Sequence, residues 1–400
     1  MDAPPSPEPP ATLYEPQPVR LPEHPVRATW ALIAVNVAVF ALESWWGGSQ
    51  WSPVLYAMGA NTGRSALAAA PWRLLSSAFL HIGPLHLAVN MWALSVFGRG
   101  LERLLGSARL LVLYGLSALG GGLVSALHHD ERLAAGASGA VWGLMVAELV
   151  LLLYPRSLFE DLVFRVNKAT VLQPLVLNII ISLQPGIDLL GHLGGGLAGA
   201  LVMGSRLLSR RPGARAWRVA GAVSVAAMAL GIGLAFAHGR PWELRAPRLA
   251  PRTLDDLGIR LMLPPGLPRV ESREETVVLG RLEHDALVVE CHLDRLPRAM
   301  DARAAEAMLL DVAREAAQAP VEEGLQRLEE PSLATVGARR AFHQALGAAN
   351  GARVDSWYFV QDARGLRLDV TRLGGEPEAW SDAPQRIAAS VTFLPAPLPR

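Results

Sequence analysis

The sequence predicts an all-α polytopic membrane bundle of six helices plus a seventh, followed by an α+β soluble domain. Three observations carry this expectation. Of 400 residues, 51% are hydrophobic and only 18% charged, too little charge to cover a soluble chain of this length. The charge is also unevenly placed: residues 1–239 hold 16 Lys+Arg and 12 Asp+Glu, residues 240–400 hold 21 and 24. Finally, the first part contains a series of apolar runs close to the ~20 residues that a helix needs to cross a bilayer.

The elements follow in order. Residues 1–27 contain nine prolines and no long apolar run. They lack the basic start and apolar core of a signal peptide and read as a disordered tail. Apolar runs then appear at Thr29–Trp46, Leu85–Phe97 (extended outward by Ser77–Pro84), Leu110–Leu127, Ala137–Tyr154, Ala169–Leu183, Ile187–Leu208 and Val219–Ala237. The first six define a core over residues 28–208. A basic loop and the seventh span occupy residues 209–238. The fifth run, with Gln173, Pro174 and Asn178, also fits a buried amphipathic helix, but the even spacing of its neighbours favours a span.

Residues 239–256 are rich in proline and arginine and read as a linker. The rest, 257–400, is read as the α+β domain. Strands are expected at Gly258–Leu263, Thr276–Leu282, Ala286–Leu293 and Val391–Leu394, a helix at Ala302–Ala319, and a hairpin over Val354–Leu373 turning at Asp362-Ala363-Arg364-Gly365. The domain bears a faint resemblance to the PsbP/Mog1-like fold.

Orientation follows from the basic residues flanking the spans. Arg20, Arg27, Arg99, Arg103, Arg109, Arg156, Arg165, Lys168, Arg206, Arg210, Arg211, Arg215 and Arg218 fall on one side. Only Arg64, Arg73 and Arg132 fall in the short loops of the other. The asymmetry predicts a cytoplasmic N-terminus and, after an odd number of spans, an extracytoplasmic C-terminal domain. It also predicts a multi-pass location in the cell (inner) membrane, with the lipid bilayer as solvent. A net charge of +1 with no dense basic face argues against nucleic acid as a partner. The single cysteine, Cys291, excludes an internal disulfide and a four-cysteine zinc site. A metal reading of Cys291-His292 fails because neighbours on a strand face opposite ways.

Polar groups inside spans are costly and point to function. Three clusters stand out: Trp72-Arg73 with His81, His86 and Asn90; Gly136-Ala137-Ser138-Gly139 opening span four; and Gly191-His192 opening span six, followed by Gly194, Gly195, Gly196 and Gly199. The derived topology brings all three to one depth on the outer side. Ser138 stands at a helix start, where backbone N–H groups and the dipole favour developing negative charge. His192 is the only histidine in the later spans able to serve it as a base. His86 and Asn90, four apart, share a helical face and can point at one spot as oxyanion donors. Gly136 and Gly139 around Ser138, and Gly195 and Gly199 on the His192 face, allow spans four and six to approach closely. Trp142, one turn after Ser138, can pack on the imidazole. Each element alone has a plainer reading, as a small-residue packing face, a buried histidine or an inter-helix hydrogen bond. Their coincidence at one depth favours an acyl-transfer site.

Over about residues 28–208 the sequence resembles the rhomboid intramembrane serine proteases. HIGPLHLAVN matches the family's His-x4-His-x3-Asn pattern, GASGAVWG its nucleophile motif, and GHLGGGLAG its histidine motif. Trp72-Arg73 matches the pair in the first outer loop, and Glu102 with Gly106 the turn after the second helix. The resemblance implies the rhomboid fold, with Ser138 as nucleophile and His192 as base of a dyad. Asn90, His86 and the Ser138 N–H then correspond to the oxyanion hole. It further implies transmembrane segments of membrane proteins as substrates, cut in or near the membrane with no cofactor and no metal. Two positions depart from the pattern: Trp142 stands where a tyrosine or phenylalanine is frequent, and Arg103 directly follows Glu102, where some members carry the arginine two residues on.

Other intramembrane protease chemistries lack their residues. There is no His-Glu-x-x-His motif, and Asp188 has no intramembrane aspartate partner. Asp188, four residues before His192, is read as a helix cap rather than a third catalytic group. His81 is assigned to holding the outer loop. Span five, with its polar residues, suits a mobile wall for substrate access. The alternative is a catalytically inactive relative that binds transmembrane helices.

Overall fold

The computed structural model describes residues 24–128, 130–154, 168–184, 186–205, 214–265, 267–273, 275–281, 285–374 and 376–395. The tail before residue 24 and most of the basic loop after span six, with Arg156 and Arg165, lie outside the described residues.

The N-terminal part is helical. Its long helices are α1 (Ala28–Trp46), α5 (Pro84–Leu105), α6 (Ser107–His128), α7 (Ser138–Leu153), α8 (Lys168–Ser182), α9 (Leu189–Gly204) and α10 (Ala214–Gly239). Between α1 and α5 the chain forms three short helices, α2 (Ser52–Ala57), α3 (Arg64–Ala69) and α4 (Arg73–Ser76). It also forms a strand there, β1 (Asn61–Gly63), which pairs antiparallel with β2 (Asp130–Ala134). Among the described residues three helices, α1, α6 and α10, are long and apolar enough to cross a membrane, or four if the bent pair Arg73–Phe79 and Pro84–Leu105 counts as one span.

That pair corrects one expectation. Ser77–Pro84 does not prolong the second span outward, because the two pieces meet at a 95° bend. Gly83, at φ +87°, and Pro84 at the first helical position start α5 afresh. The span instead extends inward to Leu105.

The remaining helices α7 and α9 have 16 residues each, and α8 has 15 described residues. At ~1.5 Å per residue they reach ~24 Å, short of a ~30 Å hydrocarbon core. Helices this short can begin below the membrane surface, and α7 and α9 begin at the polar motifs.

Buried acid replaces solvent at the start of α1. Glu102, fully buried in α5, accepts from the backbone N–H groups of Arg27, Ala28 and Thr29 and from the Thr29 and Ser107 hydroxyls, at 2.5–2.9 Å. These are the donors that a helix start leaves unpaired, and the carboxylate also complements the dipole. An adjacent arginine is therefore not needed to neutralise Glu102.

The C-terminal part is sheet-rich. A six-stranded antiparallel sheet has the order β5 (Arg269–Arg273), β6 (Thr276–Leu279), β7 (Leu287–Met300), β10 (Arg353–Arg372), β9 (Arg339–Ala348), β8 (Leu325–Val336). A second sheet joins β11 (Thr392–Phe393), β4 (Ile259–Leu263) and β3 (Ala250–Leu254). Helix α11 (Ala302–Gln318), capped by Asp301, lays Leu309, Val312 and Ala313 on Phe342, Leu333 and Tyr358 of the larger sheet. A last helix, α12 (Ala383–Ala389), packs on β4 and β10.

Two expectations change here. The stretch read as a linker contributes β3, paired with β4 along its length. The hairpin over Val354–Leu373 is one 20-residue strand. Its turn-like Asp362–Gly365 is a register shift with Asp362 at φ +56°, where β10 passes from partner β9 to partner β7. Cys291 is buried while His292 faces outward and bonds Thr276, as alternation requires. The domain seats Trp380 edge-on to Trp51 at 6.1 Å, with its indole N–H on the Leu244 carbonyl.

Candidate active site

Ser138 is the first residue of α7, so its backbone N–H is among those that the helix leaves unpaired. The loop before it is tied down twice. β1 and β2 pair Asn61 with Ala134, and the Gly136 N–H donates to the Ser77 carbonyl at 2.9 Å. Gly136 takes φ +143°, a region that disfavours side chains, and a β-carbon there would stand 2.8 Å from His86 Cε1. The same point is 3.0 Å from His86 Nε2 and 3.4 Å from Ser138 Oγ. His86 thus presents its ring edge beside the serine.

The tautomer of His86 follows from its other nitrogen. Nδ1 accepts the Ile82 N–H at 3.2 Å, so the neutral ring holds its proton at Nε2, on the edge facing Gly136. Asn90 is buried and its Nδ2 donates to the His86 carbonyl at 2.9 Å, leaving one amide hydrogen unassigned.

His192, in the first turn of α9, is buried. Its ring stacks on Trp142 with centroids 5.5 Å apart and planes 15° from parallel. Ser138 and His192 line one cavity, with Gly121, Gly139, Asp188 and Gly191 among its walls. Asp188 accepts the Gly191 N–H at 2.8 Å and so caps α9. Among the described residues no hydrogen bond joins His192 to Ser138. The Nδ1 atom instead lies 2.7 Å from Ser182 Oγ of α8.

Glycines bring the helices together. A β-carbon on Gly195 would overlap the Gly139 carbonyl, and one on Gly199 the Gly143 carbonyl. On the third side, a β-carbon on Gly121 would stand 2.8 Å from the Gly191 oxygen, and one on Gly120 3.1 Å from the Gly194 oxygen. So α6, α7 and α9 meet backbone to backbone around the cavity. The role of α6 was legible in its run Gly120-Gly121-Gly122 but is not among the expected site residues. Ser182 was also missed; the signal is a hydroxyl four residues after Asn178 in an otherwise apolar run.

The outer-loop residues take supporting places. Arg73 donates to the Tyr56 and Ala60 carbonyls at 2.7 and 2.9 Å and lies over the Tyr56 ring. Trp72 stacks on His238 of α10. The backbone N–H of buried His81 donates to Glu43 of α1 at 3.1 Å, and its ring lies 5.3 Å from that of His86.

Comparison with known proteins bears on the helical part. A family model described as Rhomboid domain matches residues 68–209. The chain is 30% identical over 206 residues to "Rhomboid protease AarA" of Providencia stuartii, covering 44% of this chain and 71% of that protein. It is 34% identical over 208 residues to "Rhomboid protease GluP" of Bacillus subtilis (strain 168), covering 51% and 39% respectively. Against "RHOMBOID-like protein 5" of Arabidopsis thaliana it is 40% identical over 153 residues, covering 37% and 48%. The matches to these last two thus span less than half of their length. Among solved structures, Mog1 matches with TM-score 0.21 and 11% identity over 36% of this chain and 86% of that one. LpqN of Mycobacterium tuberculosis matches with TM-score 0.25 and 21% identity over 38% and 85%. At these scores neither carries an argument about the C-terminal domain. The helical part, with its glycine-packed helices around Ser138 and His192, and the matches to bacterial and plant relatives agree: the chain belongs to the rhomboid family.

Proposed function

We propose that this protein is an intramembrane serine endopeptidase that cuts peptide bonds in or near transmembrane segments of other membrane proteins. The observation that carries the reading is that Ser138, at a helix start, and His192, stacked on Trp142, wall the same cavity. Two bacterial relatives, both named as rhomboid proteases, support it.

In the mechanism, His192 Nε2 takes the Ser138 proton as Oγ attacks the scissile carbonyl carbon. The tetrahedral oxyanion is met by the Ser138 N–H, the second Asn90 amide hydrogen and the His86 Nε2–H. His192 then delivers the proton to the departing nitrogen. Water, activated by the same imidazole, resolves the acyl-enzyme. The dyad hydrogen bond forms as substrate settles, since such bonds are often long in the unliganded state. Substrate helices must unwind locally to expose the bond, and α8 is the wall through which they reach it. The protein sits in the cell (inner) membrane with its N-terminus cytoplasmic and its C-terminal domain outside.

The test is covalent labelling of the detergent-solubilised protein by a fluorophosphonate. Labelling of the parent that is lost in Ser138→Ala and His192→Ala supports the protease. A parent no more reactive than Ser138→Ala would establish instead an inactive relative that binds transmembrane helices.

A further inference from the structure

His192 Nδ1 and Ser182 Oγ lie 2.7 Å apart, and both residues are buried, to 6% and 2% exposure. The direction of this hydrogen bond follows from a second one. Ser182 Oγ also lies 2.6 Å from the Asn178 carbonyl oxygen, one turn earlier in α8, to which it donates. A serine hydroxyl has one proton and two lone pairs. With the proton committed to Asn178, Oγ has only a lone pair for the imidazole. His192 must therefore carry its proton on Nδ1 and donate it to Ser182. That leaves Nε2 with its lone pair, the form that a general base for Ser138 requires.

We propose that Ser182 is a positioning residue for His192. Its hydroxyl, anchored on the Asn178 carbonyl, fixes the imidazole's tautomer and orientation, the task that a buried aspartate has in three-residue sites. The inference rests on the protease reading. The carboxylate nearest in sequence, Asp188, is engaged with the Gly191 N–H as the cap of α9. The ring is thus held edge-on from α8 at Nδ1 and face-on from α7 by Trp142. No bond to Ser182 is made or broken in the chemistry. The proton shuttles between Ser138 Oγ, His192 Nε2 and the leaving nitrogen, while the Nδ1 proton stays in place.

The position of Ser182 adds a consequence. It closes α8, whose Val176, Leu177, Ile179 and Ile180 are all exposed. The bond to His192 is a polar tie between this helix, which also packs Leu175 against the core, and the site. Outward displacement of α8 breaks it, so the base is oriented only while α8 is docked. Access and chemistry are then coupled through one hydroxyl.

The experiment uses the full chain in detergent micelles and compares the parent, Ser182→Ala, Ser182→Thr and Ser138→Ala. Ser182→Ala should lower both kcat on a transmembrane peptide and the fluorophosphonate labelling rate by about tenfold, the loss of one net hydrogen bond. KM should stay unchanged, and Ser182→Thr, which keeps the hydroxyl, should restore both rates. A purely structural role would instead change KM or melting without rescue by threonine. Parental kcat in Ser182→Ala, or a threonine variant as slow as the alanine one, overturns the proposal.

A second readout separates this idea from the protease reading. In ¹⁵N-histidine spectra the His192 signal, assigned by its loss in His192→Gln, should report an Nδ1–H ring in the parent and a tautomer mixture in Ser182→Ala. An unchanged tautomer overturns the positioning role whether or not the protein is active. A parent that fails to label while the tautomer shifts as stated removes the protease reading alone.

Discussion

Adding one methyl group at Gly195 should disable the site without touching a reacting atom. A β-carbon there would stand 2.6 Å from the Gly139 carbonyl carbon and 3.0 Å from its Cα, with the carbonyl oxygen closer still. Carbon atoms in contact normally lie ~3.5–4.0 Å apart, so α7 and α9 must separate by about 1 Å. Backbone cannot yield as a flexible side chain does. His192 is three residues before Gly195 on the same helical face, and Ser138 directly precedes Gly139, so the separation falls between the two groups that must meet. A misplacement of ~1 Å costs about a hundredfold in rate, and overpacking destabilises by about 1–3 kcal/mol. Gly195→Ala should therefore cut turnover of a fluorogenic transmembrane peptide in proteoliposomes by about two decades and lower the melting temperature in micelles. Gly204→Ala is the control, because the same helix has nothing within 4 Å of a β-carbon there. A Gly195→Ala protein with parental turnover and melting would refute the close-approach argument.

Asn90→Ala should cost about 2–4 kcal/mol of transition-state stabilisation, the usual loss for one oxyanion donor, read as a fall in kcat with KM nearly constant. Asp188→Asn keeps a capping oxygen for the Gly191 N–H and should leave turnover within a few fold, whereas a true triad acid would cost about four decades. In the C-terminal domain, burial raises the Asp355 carboxyl, but the His343 ring at 3.5 Å, the hydrogen bonds from Arg353 and the charges of Arg353 and Arg372 outweigh it and hold it below the usual carboxylate range. A depressed folded pKa gives stability that is present above the unfolded value and is lost as pH falls through the folded one. Asp355→Asn should thus lower the melting temperature at neutral pH, and the gap from the parent should close as the pH falls below ~4. A gap that persists in strong acid would show that charge is not what Asp355 contributes.

Much of the candidate site was legible because its residues are marked by near neighbours in sequence. Ser138 at a helix start, the i,i+4 pair of His86 and Asn90, and the glycines at 195 and 199 are each readable from a few neighbours. Trp142 one turn from Ser138 and the Asp188 cap are local too, and the structure gives both the expected geometry. Helix boundaries held to within one residue for α1 and α7, but α5 runs past Phe97 to Leu105 and α9 stops at Gly204. They failed at Ser77–Pro84, where an apolar run hides a 95° bend. In the C-terminal domain, Asp362–Gly365 carries turn chemistry, yet β7 and β9 supply partners on either side that keep the strand continuous.

Composition, charge placement and helical spacing by themselves determined that the chain is a membrane bundle with a sheet-rich appendage. They also picked out the residues that are candidates for acyl-transfer chemistry. Only the tertiary structure decided which atom holds His192, because Ser182 and His192 come from different helices and are joined by a bond that no spacing encodes. Likewise only packing made α6 the third wall, through Gly120 and Gly121, and made Glu102 the cap of α1 from 73 residues away. Periodicity in sequence reports which face of an element is apolar. It does not report what lies against that face, and hydrogen-bond partners and helix approach are settled there.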